Sequence, residues 1–339
     1  MKPIVLGNIF TILFGLSQTF DTKANSHLWM IPSKIGRITN KFPSTSITDI
    51  FGDISPVAYN ERNLRSEKET FSYDESDPYG PQNWGRLSEH CDGSQQSPIS
   101  LYSNDSLEIY RRPLRIQHLD TIPNSLTFRN NGHSFTITFN YPGSRVAAVS
   151  GGPLKNSYVI SQVHWHWGMN DYDGSEHILD FRRYSAEAHI VTYNSKYGSL
   201  TNAMNQPKGL AVLGFLYEID NSYGASDIPF GFLVENVIES GSSYVENSHL
   251  FSLRHIIQSM EFDYLSYKGS LTTPNCFETV TWIVSTKPLK ISSHDLAQLR
   301  RIKDEKGKPI LMNYRPIQRT NYRDVDKYCS QSQYTQKYY

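Results

Sequence analysis

The sequence is short of charge and has no excess of either sign. Charged residues make up 19% of its 339 positions, and 33 Lys plus Arg stand against 33 Asp plus Glu. A zero net charge argues against a general nucleic-acid binder, which carries a basic excess. Cysteine is scarce, limited to Cys91, Cys276 and Cys329. There is no internal repeat and no low-complexity block, which excludes a solenoid or a mineral-templating tract. Beyond the N-terminus no segment is apolar for long enough to cross a bilayer. Residues 331–339 are polar and aromatic and lack the hydrophobic tail of a lipid-anchor signal. Helical periodicity is sparse: 292–301, opened by the N-capping candidates Ser292 and Ser293, is the best helix.

Aromatic residues, by contrast, are plentiful, with 22 Tyr, 16 Phe and 5 Trp. They exclude a fully disordered chain and supply a large core. The N-terminus has one positive charge, in Met1-Lys2-Pro3, and then an apolar run over 4–14. That is the layout of a secretory signal peptide, shorter than the roughly 20 residues of a membrane span. Thr22-Lys23-Ala24 places small residues where a signal peptidase inspects them, so cleavage after Ala24 is expected (signal peptide 1–24). Residues 25–70 are polar and punctuated by Pro32, Pro43 and Pro56, as in a linker, a pro-segment or a poorly ordered arm. From Phe71 onward short β-favouring runs recur at 134–141, 158–167, 186–193, 210–217 and 279–285, with turn residues between them. They predict one β-dominated domain of about 250 residues over 71–325, followed by a tail at 326–339.

The strongest local signal is Gln162-Val163-His164-Trp165-His166-Trp167-Gly168. On a strand, Gln162, His164 and His166 share one face, and Val163, Trp165 and Trp167 share the other. A second run, Glu187-Ala188-His189-Ile190-Val191, sets Glu187, His189 and Val191 together. Two imidazoles at i and i+2 plus a third from a neighbouring strand suit a three-nitrogen zinc site with an open fourth position. An acid or amide two residues before a ligand suits an outer partner that fixes the imidazole tautomer. Two other readings are compatible with the spacing: half-buried strand histidines with ordinary hydrogen bonds, and a His, His, carboxylate iron site using Glu187 or Asp180. Spacing alone does not bring His189 to the first pair.

Nine motifs occur in a fixed order: Ser97-Pro98-Ile99, Asn130-Asn131-Gly132-His133, Gly151-Gly152-Pro153-Leu154, His164-Trp165-His166-Trp167-Gly168, Gly174-Ser175-Glu176-His177, Ala186-Glu187-Ala188-His189, Gly209-Leu210-Ala211-Val212-Leu213-Gly214, Gly269-Ser270-Leu271-Thr272-Thr273-Pro274 and Asn313-Tyr314-Arg315-Pro316. Over about three quarters of the chain, 71–318, this pattern resembles the α-class carbonic anhydrases, and with a signal peptide the secreted type. The resemblance implies a mainly β fold with a few short helices, a single domain on a large, twisted, mostly antiparallel central sheet. It implies Zn2+ on His164, His166 and His189, with Gln162, Glu187 and the backbone of Asn313 as outer partners and His177 in support. The activity implied is reversible hydration of carbon dioxide to bicarbonate and a proton by attack of zinc-bound hydroxide, with sulfonamide-type inhibitors expected. Thr272 would accept from that hydroxide and donate to Glu176, with Thr273 bordering the product. Val191, Val212, Leu271, Val280 and Trp282 match the apolar substrate wall. His133 matches the proton shuttle, with Tyr73 ordering its water.

The resemblance further pairs Cys91 with Cys276 in a disulfide and leaves Cys329 over. A secreted monomer is expected, and a Cys329-linked dimer is the alternative. Asn104-Asp105-Ser106 is the only N-glycosylation sequon. Three positions depart from the family pattern: Phe71 and Tyr314 stand where Trp is usual, and Lys268 where Pro is usual. The spacing from Tyr73 to Gly80-Pro81 is also stretched.

Overall fold

The longest run of strand residues, Leu154–Trp167, is an interior strand of the main sheet and carries two of the histidines. The computed structural model describes residues 71–109, 113–143, 145–222, 228, 230–257 and 263–329. The expected signal peptide, the arm at 25–70 and the tail beyond 329 lie outside the described residues. Antiparallel partners flank the central strand: Phe135–Asn140 on one side and Ala186–Asn194 on the other. Beyond Ala186–Asn194 come Leu210–Ile219, antiparallel to it, and Val280–Ser285, parallel to Leu210–Ile219. Tyr264–Gly269 and Asp326–Tyr328 follow, each antiparallel to its inner neighbour, and Leu107–Ile109 runs parallel at the edge. Ser125–Asn130 and Ser243–Glu246 extend the opposite side, and among the described residues this mostly antiparallel sheet has 13 strands. The fold is the mainly β one expected.

The expected strands are present with shifted ends. The 158–167 run begins at Leu154 because Gly151-Gly152 turns the chain from the preceding strand, Ala148–Gly151. One boundary needs correction: the tail does not begin at 326, because Asp326–Tyr328 is a strand hydrogen-bonded within the sheet. Three residues facing the flanking strands carried too little periodicity to be legible. The expected helix at 292–301 is Ser293–Leu299, with the Ser292 hydroxyl accepting the Asp295 N–H at 3.0 Å. The other α-helices among the described residues have four to six residues.

Alternation along the strands divides the buried side chains between the two faces. Val163, Trp165, Trp167, Ile190, Leu213 and Phe215 join the larger cluster on one face. Val191, Val212, Val280, Trp282, Leu265 and Tyr267 form a second cluster on the other. Full burial of a large apolar side chain is worth about 1.5–3 kcal/mol, so Trp165 and Trp167, both at 0% exposure, lock the register that turns His164 and His166 the other way. A smaller cluster joins Phe71, Tyr73, Trp84 and Leu87 to the Cys91–Cys276 disulfide.

Candidate metal centre

Cross-strand pairing supplies what spacing left open. His164 lies directly opposite His189, and His166 opposite Glu187. The ligand atoms of His164, His166 and His189 all fall within 4.8 Å of one another, and His164 Nε2 is 3.1 Å from His166 Nε2. Each ring is held by its other nitrogen. The Gln162 carboxamide lies against His164 Nδ1, with Oε1 at 3.2 Å. His166 Nδ1 donates to the Asn313 carbonyl at 2.7 Å, and His189 Nε2 donates to Glu187 Oε1 at 2.9 Å. The nitrogens left for a cation are therefore Nε2, Nε2 and Nδ1. Burial pushes the His166 imidazole down to about 4. Burial and the crowding of the other rings lower His164 and His189 as well. Neutral rings with free lone pairs are what a divalent cation requires.

Glu187 is fully buried and is held from two sides. Its Oε1 meets His177 Nδ1 at 2.7 Å as well as His189, and its Oε2 accepts the His177 backbone N–H at 2.8 Å. Burial raises its carboxyl, but the neighbouring His177 and His189 and their hydrogen bonds outweigh burial and hold it well below the carboxylate range. Glu187 stands apart from the three-nitrogen group and forms, with His177 and His189, a second cluster whose ligand atoms lie within 4.8 Å of one another. Glu187 occupies the nitrogen of His189 that faces away from the other two rings. Asp180 sits in a turn, bonded to Ser103.

Beside the three rings lies Glu176, at 0% exposure. Its Oε1 accepts the Arg315 backbone N–H at 2.8 Å, and its Oε2 is 3.9 Å from His189 Nδ1. Burial raises its carboxyl, against the pull of His189, the Thr272 side chain and the Arg315 N–H toward the charged form. Thr272 is buried in the loop after Tyr264–Gly269, with Thr273 half-buried beside it. The apolar positions make a row: Val191, Val212 and Trp282 are register partners on three successive strands. Val280 joins them, and half-buried Leu271 packs on the same cluster.

His133 is half-buried, and Phe71 stacks on its ring at 3.9 Å between centroids. Burial lowers its pKa, opposed by Glu305 and Asp304. Tyr73 is buried among Phe71 and Trp84. Two features were missed in the sequence. The Asn313 side chain, beyond its carbonyl, bonds the backbone of Trp167, Trp165 and His133, tying His133 to the histidine strand. Gly214 pairs with His189 across the next strand, and a Cβ there would stand 3.0 Å from Glu187 Oε1. A lone Gly inside the apolar run 210–217 was the available signal, since an interior strand Gly marks a close approach. The Asn313 bonds had none.

The family description "eukaryotic-type carbonic anhydrase" matches residues 79–329. Carbonic anhydrase 1 of Mus musculus is 33% identical over 249 residues, covering 70% of this chain and 91% of that protein. A three-imidazole centre with a buried glutamate beside it, on a sheet matched over that span, places the chain in the eukaryotic-type carbonic anhydrase family.

Proposed function

We propose that the chain catalyses the reversible hydration of carbon dioxide to bicarbonate and a proton, with Zn2+ held by His164, His166 and His189. The observation that carries this reading is the convergence of three neutral imidazole nitrogens whose opposite nitrogens are all engaged. An all-imidazole, three-protein-ligand set suits catalytic zinc. When bound, zinc supplies a Lewis acid that, as is established for carbonic anhydrases, lowers the pKa of water from about 15.7 to about 7.

The chain's own residues do the rest. Glu187, Gln162 and the Asn313 carbonyl set the tautomers, so each lone pair points inward. Glu176 accepts a hydrogen bond from the Thr272 hydroxyl, which leaves the Thr272 oxygen as an acceptor that orients a proton donor. Carbon dioxide offers little to hydrogen-bond, so the Val191–Val212–Trp282 row and Leu271 bind it by apolar contact. Thr273 borders the bicarbonate formed. His133, neutral at pH 7, accepts the released proton at its ring and passes it to solvent, and Tyr73 orders the intervening water.

Metal analysis and stopped-flow carbon dioxide hydration test this on the purified chain. One zinc per chain and hydration abolished by a sulfonamide are expected, with both metal and activity lost in His189→Ala. A chain that binds no zinc, or hydration that persists at saturating sulfonamide, refutes it. Secretion is part of the same proposal: the N-terminal charge and apolar run support it, as does the Cys91–Cys276 disulfide, a bond of oxidising compartments. N-terminal sequencing of the exported chain should begin at Asn25. Its mass on a non-reducing gel should be that of a monomer, and a dimer that collapses on reduction would instead implicate Cys329.

A further inference from the structure

We propose that Asn104 carries an N-linked glycan whose first sugar packs on the rings of Tyr102 and Phe181, an inference that rests on the chain being secreted. Phe181 is the starting point. Leu179 and Arg182 exchange both backbone hydrogen bonds, each at 3.0 Å, so Asp180 and Phe181 form a two-residue hairpin turn. Both have positive φ, 49° and 66°. Such turns favour Asn-Gly or Asp-Gly, and a bulky residue at the second position is an outlier. Here that position holds a phenylalanine 86% exposed to solvent. Its ring packs on Tyr102, with centroids 4.7 Å apart. A costly backbone conformation that points an aromatic ring at water is a feature in need of a ligand.

The sequon supplies one. Asp180 accepts the Ser103 backbone N–H at 2.8 Å and its hydroxyl at 2.7 Å, and its own N–H donates to the Leu101 carbonyl at 2.9 Å. The Ser106 hydroxyl donates to the Tyr102 carbonyl at 2.7 Å. The loop carrying Asn104-Asp105-Ser106 is therefore built onto the Phe181 turn, and Tyr102 lies two residues before the acceptor. Asn104 is exposed, and its carboxamide has no hydrogen bond among the described residues. A pyranose offers an apolar face of slightly positive C–H groups, which suits the negative face of an aromatic ring. In the modification step, Nδ2 of Asn104 bonds to C1 of a sugar delivered as a polyprenyl-diphosphate-linked oligosaccharide. The C1–O bond to diphosphate breaks, the diphosphate leaves with the electron pair, and Nδ2 loses one proton.

The test is expression of the full chain in secreting eukaryotic cells, with intact mass before and after peptide N-glycosidase. A glycan mass that disappears in Asn104→Gln is expected. Removal of the glycan should lower the thermal midpoint of the wild type by a few degrees and leave that of Phe181→Ala and Tyr102→Ala unchanged. Independently, acrylamide quenching of the added tryptophan in Phe181→Trp should rise when the glycan is removed. A secreted chain starting at Asn25 with unmodified Asn104 overturns the site. An occupied site with equal midpoint shifts in wild type and Phe181→Ala, or with unchanged quenching, overturns the platform. A retained chain that keeps Met1 overturns the secretion reading and this inference with it.

Discussion

Each imidazole of the candidate metal centre has one nitrogen turned toward the other two rings and the other held by Gln162, Asn313 or Glu187. The two commitments are separable by mutation. Glu187→Ala keeps all three ligands but frees the His189 tautomer, and zinc affinity should fall about 10–100-fold in competition with a chelator. Thr272→Val keeps shape and metal while deleting the hydroxyl. By analogy with loss of a transition-state hydrogen bond, its hydration rate should fall by about 10²-fold at unchanged zinc content. His133 has a different lever. Burial, with the Phe71 ring stacked on the imidazole, holds its pKa below the ordinary imidazole value against the opposing pull of Glu305 and Asp304. As pH falls below about 6.5 the unfolded chain therefore takes up this proton first, and the stability His133 contributes is lost as pH falls through the lower folded value. Phe71→Ala opens the ring to water. An NMR titration should then show the His133 pKa rising, with a shallower loss of stability on the acid side.

At the scale of elements, alternation on the central strand was legible. Val163, Trp165 and Trp167 are apolar and join the larger core cluster, while on the other face Gln162 and His164 are half-buried and His166 is buried. Which strand lies beside it was not legible, because the pairing of His164 with His189 depends on the turn path between them. The same limit hid Gly214, which faces His189 from the next strand and leaves room for Glu187. Gly214→Val puts its Cβ against Glu187 Oε1 and beside the Val284 side chain. Zinc affinity should drop by about 10–100-fold, as for loss of an outer partner, in a protein whose circular dichroism stays that of a β fold.

At the scale of the molecule, residues 91–97 are stitched to the loops around the centre. The Cys91–Cys276 bond spans 185 residues, and Arg315 donates to Gln96 Oε1 at 2.8 Å and to the Ser97 carbonyl at 2.9 Å while its backbone holds Glu176. The Ser97 N–H donates to the Ser270 hydroxyl at 2.9 Å. Burial lowers the Arg315 guanidinium to about 10, so it remains charged at neutral pH. The double variant Cys91→Ser, Cys276→Ser should lose about 2–5 kcal/mol in urea unfolding. No change in midpoint would show that the hydrogen bonds alone hold the segment.

The sequence by itself determined the chemistry on offer: the imidazoles at i and i+2, the apolar face behind them, the β-rich texture and the ordered motifs that carry the family resemblance. Those properties are local, since side-chain type and strand alternation act within a few residues. Tertiary structure decided which nitrogen of each ring is free, that Glu187 backs His189 from the side of His177, and that Phe71 lies on His133. It also decided that residues 326–328 complete the sheet. Each of these depends on groups brought together from distant parts of the chain, where distance and burial set the protonation states and no local pattern encodes them.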